Sequence, residues 1–313
     1  MTTHGGIIGP PPSCALGFRP DPVFSLWRLS PLILLWLSAT MPGLGSPPAV
    51  EAAEKVATKM TVKDVLTRPK QSVRLEARLV TPGVLRESGL GGERLEFFVG
   101  GVRAGAAMTG GDGRAYLEFT TRMRGNQIIR VKLAGSTRVQ DTEATGNLAS
   151  WERRRPIVLV ELAALLDEGK LPVGLPSLPL QLGLESLPGP ATGCVENLTR
   201  LTKFYFNVVY VSRTGIVQME ALRDWLAEHK FPPGVPRVVK PGKRALEALI
   251  EEFAEKGFRK PRAGVGRTQD FADTLAERRV KVVILSEDGP EKEYPRLTEW
   301  AKDWVEVRRK VQG

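Results

Sequence analysis

The chain has 313 residues, of which 26% are charged and 42% hydrophobic. That balance suits about two ordinary folded domains and excludes disorder through most of the length. Lys plus Arg number 45 against 35 Asp plus Glu, a net charge of +10, so the surface field favours anionic partners such as phosphates, lipid headgroups or nucleic acid. Two cysteines and two histidines are too few for a disulfide framework, a thiolate metal site or a His-rich zinc centre.

Residues 1–58 read as an export segment and linker. Pro10–Pro12, Arg19 and Arg28 precede the apolar run Pro31–Leu37, and small residues with Pro47 and Pro48 follow it. A basic lead, a short apolar core and small residues make up the grammar of a secretory signal. The run is too short to span a bilayer comfortably. The expectation is an exported protein, periplasmic, secreted or held at a membrane by this segment. The long Pro- and Gly-rich lead fits either a start codon placed too early or an uncleaved anchor. Cys14 falls in this stretch, which leaves Cys194 alone beyond it.

Residues 60–150 change to period two. In Val73–Leu79 apolar and charged or small side chains alternate, as a half-buried strand requires. Leu95, Phe97 and Val99 repeat the pattern, as do Ala115, Leu117 and Phe119, and then Ile129, Val131 and Leu133. The turn signals Gly89–Gly92, Thr109–Gly113 and Arg124–Asn126 separate them. Short strands so punctuated predict an antiparallel all-β sandwich. The segment Ala106–Phe119 resembles bacterial immunoglobulin-like modules. No set of acids, bases or nucleophiles stands out there, so the expected role is a spacer or docking module.

Beyond Arg153-Arg154-Arg155, residues 153–313 predict an α/β domain. Ile157–Val160 and Asn207–Val211 are continuous apolar runs, as strands buried on both faces require. Helices are expected over about Ala191–Tyr205, around Met219, Leu222 and Leu226, and around Leu246–Phe253. A brief strand at Ala263–Val265, a helix over Asp270–Arg278 and a strand over Val280–Leu285 follow. Leu297, Trp300, Ala301, Trp304 and Val311 read as one terminal helix stripe. Alternating strands and helices imply a doubly wound parallel sheet, with ligands at the carboxyl ends of its strands. Ser212 would sit there, either as an anion contact or as the N-cap of the next helix. Thr214 could take the cap instead.

The span Val208–Gly234, ending Trp225-Leu-x-x-His229-x-Phe231-Pro232-x-Gly234, resembles the second motif and following helix of the lipin-type branch of the haloacid dehalogenase-like superfamily. It is especially similar to the C-terminal domain of retinal degeneration B type phosphatidylinositol transfer proteins, in which a small β-sandwich also comes first. Gly266-Arg-Thr-Gln-Asp270 is similar to that branch's glycine-to-acid motif, and Lys243 to its lysine. The resemblance implies an aspartate nucleophile ending the first strand, an aspartate acid two residues on, and magnesium. The first carboxylate attacks phosphorus and the second transfers protons.

At those two places this chain has Glu161 and Ala163. One extra methylene displaces the attacking oxygen, and about 1 Å at a reacting centre costs roughly a hundredfold in rate. Alanine transfers no proton, which removes roughly a hundred- to ten-thousandfold more. The resemblance therefore implies a pseudo-phosphatase that needs no cofactor, binding a phosphorylated ligand such as phosphatidic acid or another anionic phospholipid headgroup through Ser212, Arg213 and Lys243. If a metal were retained, Glu161 and Asp270 would hold it. The alternatives are a working phosphatase that uses Glu161 with magnesium, and an exported docking module. For Asp270 and Lys243 the competing readings are a helix N-cap and a solvated helix-start cation. Nucleic acid is disfavoured, because the basic residues are not interleaved with aromatics.

Overall fold

Leu75, Ala77 and Leu79 are buried in β3 (Ser72–Thr81), alternating with the more exposed Arg74, Glu76 and Arg78, so the period-two pattern sets which face meets the core. The computed structural model describes residues 55–83, 87–167, 187–213, 218–287, 289 and 293–313. Residues 1–54 of the export segment and linker, and Thr214, lie outside them, whereas Val56, expected to precede the fold, bridges Val139 of the sandwich. On one sheet β3 pairs with β1 (Lys59–Val62), β4 (Ser88–Gly89) and β7 (Arg114–Thr120). The second sheet has the order β2 (Val65–Thr67), β9 (Glu143–Ser150), β8 (Gly125–Leu133), β5 (Arg94–Val99), β6 (Val102–Met108). Leu75, Leu79, Leu95, Phe97, Ile129 and Val131 close the space between them. This is a two-sheet sandwich, and it departs from the expected antiparallel pattern in one pair, because β2 runs parallel to β9.

The chain then builds a six-stranded sheet from β10 (Ile157–Glu161), β11 (Asn207–Ser212), β12 (Val235–Val238), β13 (Ala263–Gly266), β14 (Lys281–Leu285) and β15 (Thr298–Ala301). Every pair is parallel, and the order is β12-β11-β10-β13-β14-β15. In β10, Val158 and Val160 face one core while Ile157 and Leu159 face the other. Burial on both faces explains why the strand is apolar throughout. The helices α2 (Cys194–Phe204), α3 (Met219–Glu228) and α6 (Trp304–Gln312) cover the first face, and α4 (Lys243–Glu255) and α5 (Gln269–Glu277) cover the second. A four-residue turn of helix, α1 (Leu162–Leu165), follows β10. The strand order reverses between β10 and β13, which opens the sheet's crevice at their carboxyl ends.

The expected terminal helix is two elements. Thr298–Ala301 pairs with β14 as β15, and α6 starts only at Trp304, where the Asp303 carboxylate accepts from Glu306 N at 2.8 Å. The Trp225–Gly234 motif is a packing device. Trp225 stacks on Phe231 at 5.1 Å and meets His229 edge-on at 4.9 Å. The Tyr210 hydroxyl donates to Pro232 O at 2.7 Å. A Cβ on Gly234 would lie 2.6 Å from the Tyr210 ring, so only glycine fits that approach.

Sandwich and sheet share a core, since Leu66, Ala149 and Trp151 belong to the same cluster as Ile157, Phe253 and Phe271. Arg223 of α3 crosses the junction. It donates to Val62 O at 3.1 Å and Thr145 O at 3.2 Å and pairs with buried Asp64 at 2.7 Å. Removing one partner of a buried pair strands the other charge. Arg223→Ala is therefore expected to lower the free energy of unfolding by about 3 kcal/mol, measured by urea denaturation. A loss within experimental scatter of zero would show that the junction does not depend on this pair.

Candidate functional site

Glu161 ends β10 with 3% of its surface exposed. A carboxylate so placed needs donors, and the loop leaving β13 supplies them. Oε2 accepts from the amides of Arg267 at 2.9 Å and Thr268 at 3.1 Å. Oε1 accepts from the Thr268 hydroxyl at 2.6 Å and faces Arg213 Nη1 at 3.6 Å. A Cβ on Gly266 would meet Glu161 Oε2 at 2.8 Å and Phe271 at 2.5 Å, so a glycine lets the loop come this close. The amides leading into α5 form the kind of anion cradle found where a strand hands over to a helix. The anion they hold is the protein's own Glu161.

Arg213 follows β11, and its side chain is 8% exposed. It lies between Glu161 and Asp270, and its Nη2 pairs with Asp270 Oδ2 in the first turn of α5. Burial lowers its pKa, opposed by the charge and hydrogen bond of Glu161; a guanidinium keeps its proton in such a setting. Arg267 is a second, half-buried cation of the crevice. Burial lowers its pKa to about 10 against the opposing charges of Glu287, Asp167 and Glu161, and its Nη2 donates to Leu166 O at 3.4 Å.

The expected site residues are only partly brought together. Glu161, Arg213 and Asp270 meet, but Arg213 grips these two carboxylates instead of facing a ligand. Ser212 ends β11 without exposed surface, and its carbonyl accepts from Val239 N at 2.9 Å, so it presents no accessible hydroxyl to a phosphate. It is not a helix cap either, because α3 starts at Met219 with Gln218 as N-cap. The helix that follows Ser212 thus opens only at Met219. Lys243 opens α4, and its ammonium pairs with Glu277 at the far end of α5 from Asp270, roughly 10 Å along the axis at 1.5 Å per residue. That partner raises its pKa. In place of the expected convergence of Ser212, Arg213 and Lys243 on one ligand, Arg213 and Lys243 pair with the protein's own carboxylates. Asp270 is not the α5 N-cap, which is Thr268. Ala163 sits in α1 and brings no titratable group.

The donor set does not suit magnesium, which requires several oxygen ligands in near-octahedral geometry. Glu161 already accepts three hydrogen bonds, and a guanidinium lies between it and Asp270. Among the described residues no group of three or more His, Cys, Asp or Glu could hold a metal ion. Sequence reasoning missed Thr268 and Arg267, whose backbone amides leave no signature in composition; the charge of Asp167 also acts on Arg267.

No family model matches the chain, and no curated protein matches it. Among solved structures, the fibronectin(III)-like modules of Clostridium thermocellum CbhA align over 31% of this chain and 99% of their own, with 16% identity and a TM-score of 0.22. The CARDB domain of a Pyrococcus furiosus protein covers 31% of this chain and 98% of its own at 14% identity and a TM-score of 0.23. A putative beta-galactosidase from Bacteroides fragilis covers 82% of this chain and 51% of its own at 11% identity and a TM-score of 0.26. At these scores none of them carries an argument about function.

The cradle makes a specific forecast for Gly266. A methyl group there must push on Glu161 Oε2 and the Phe271 ring, and overpacking of this kind costs about 1–3 kcal/mol. Gly266→Ala should lower the urea midpoint accordingly, and Gly264→Ala, whose Cβ would meet Leu275 at 2.2 Å and Phe271 at 3.1 Å, should act similarly. Unchanged midpoints in both would mean that the loop does not hold its distance from the strand end.

Proposed function

We propose that the protein is a catalytically silent relative of the haloacid dehalogenase-like fold, of the lipin type, fused to an immunoglobulin-like sandwich and serving as an exported docking module. One observation carries this reading: the Arg213 guanidinium lies between Glu161 and Asp270, the two carboxylates that hydrolysis would need for attack and metal binding. The parallel sheet whose order reverses beside Glu161 supports the fold assignment, since the resembled motifs fall on the ends of β10, β11 and β13 in the order the resemblance requires. A carboxylate held by two amides, a hydroxyl and an arginine is an acceptor already in use. It is also without the neighbouring acid that would carry a proton, because Ala163 stands there.

A second reading, a bound phosphorylated ligand, is favoured by Arg213 and the α5 amides sharing one strand edge. A phosphate would have to displace Glu161 from those amides and Asp270 from Arg213. It would thereby leave buried carboxylates unpaired, and for that reason docking stands first.

The wild-type chain should release no inorganic phosphate from p-nitrophenyl phosphate or phosphatidic acid, with or without magnesium, and glycerol 3-phosphate should give no binding heat in calorimetry. Turnover that is present in wild type and abolished in Glu161→Gln would identify a working carboxylate and overturn the reading. Binding heat lost in Arg213→Ala would put the second reading first.

A further inference from the structure

One end of the five-stranded sheet gathers exposed aliphatic and arginine side chains. The register fixes this juxtaposition. Val99 of β5 pairs with Ile129 of β8, and Gly125 at the start of β8 pairs with Ser150 at the end of β9. The β5–β6 turn, the loop 121–126 and the linker 151–155 therefore lie side by side. Gly100 N donates to Ile128 O at 3.0 Å, and a Cβ on Gly100 would lie 3.5 Å from the Met123 methyl. Val102 is 72% exposed, Met123 56% and Ile128 57%.

Around these aliphatics the loop and linker carry Arg122, Arg124, Arg153, Arg154 and Arg155 against one acid, Glu152. Arg124 pairs with Glu152, which ties the two stretches together. Arg155 donates to Thr202 O in α2 and, at 3.4 Å, to Phe206 O just past it, beside Tyr205, which is 65% exposed. Arg122, Arg153 and Arg154 are exposed. The rim is thus cationic at its flanks, aliphatic at its tips, and bordered by an amphipathic aromatic.

We propose that this rim docks on an anionic lipid surface, with the arginines on headgroup phosphates and Val102, Met123 and Ile128 at the boundary with the acyl chains. It names the surface and partner for the docking role proposed above and rests on that reading. The combination decides among anionic partners. Arginines near a negatively charged leaflet add binding energy one by one, and exposed aliphatics gain by leaving water at the interface. A nucleic acid would use the arginines but leave the aliphatic tips in water, and the tips offer no aromatic ring for base stacking.

The test is co-sedimentation of the full chain with phosphatidylcholine vesicles containing about a third phosphatidylglycerol, at physiological salt. All forms carry the same residues 1–54, so any contribution from that stretch cancels between them. Arg122→Ser, Arg153→Ser and Arg154→Ser together should weaken binding roughly a hundredfold, at roughly fivefold per arginine. Val102→Ser with Met123→Ser should weaken it several-fold without altering the thermal midpoint. A control triple of exposed residues elsewhere, Arg94→Ser, Lys240→Ser and Arg244→Ser, should bind like wild type. Equal loss in the control triple, or binding indifferent to phosphatidylglycerol, would overturn the proposal. Insensitivity to the aliphatic pair combined with the same arginine dependence on an acidic polypeptide would also overturn it, in favour of a protein partner. The phosphatase assay reads Glu161 and this one reads the rim, so failure of one is distinguishable from failure of the other.

Discussion

A carboxylate at the end of a strand buried on both faces has to be satisfied or neutralised, and the crevice of this protein is organised around that requirement at Glu161. β10 is central in the sheet, with β11 on one side and β13 on the other, and Glu161 at its end is buried. The two amides entering α5, the Thr268 hydroxyl and Arg213 answer the demand. Gly266 is small because the loop must reach the strand. Arg213 is buried because it must reach the carboxylate, and its remaining charge is met by Asp270. The glycine at 266, the buried arginine and that arginine's second carboxylate, Asp270, are all accounted for by one group.

The proposed catalytic silence rests on the same requirement. In a hydrolase of this architecture a strand-end carboxylate must be free to attack, and a metal must share its charge. Here the guanidinium occupies the space between the carboxylates, and it offers donors where a metal would need ligands. The anion-binding capacity of a helix entrance remains in the fold, but it is directed inward. The proposed surface recognition then falls to other parts of the molecule, and the arginine-rich end of the sandwich is a place, among the described residues, where exposed cations and exposed aliphatics lie together.

Much of the fold was legible because burial imposes period. Val73–Leu79 alternates because one face is wet, and Ile157–Val160 is apolar throughout because neither face is. β12 escaped notice because Val235–Val238 is four residues long and contains Pro236, both of which argue against a strand when read alone. β15 passed for helix because Leu297, Trp300, Ala301 and Trp304 repeat at spacings that a helix would also show, and only the capping by Asp303 divides strand from helix. Glu161 was identifiable as a charge out of place in an apolar run. Its partners were not, since two of the four contacts come from backbone amides and Arg213 could as well have served a ligand. The Trp225–Gly234 motif was visible as unusual, and what its spacing encodes is Trp225 stacked on Phe231, which in turn meets Tyr210 edge-on.

The central claim is that Arg213 and Glu161 form a buried, energetically coupled pair standing where a metal-dependent enzyme would keep its cation. The most direct measurement is a double-mutant cycle on unfolding free energy with Glu161→Gln, Arg213→Met and the double variant, each run with magnesium and with chelator. The expected result is a coupling of at least about 2 kcal/mol that magnesium leaves unchanged in wild type. A coupling near zero, or a wild-type protein stabilised by magnesium as a specifically bound ion would stabilise it, would contradict the claim.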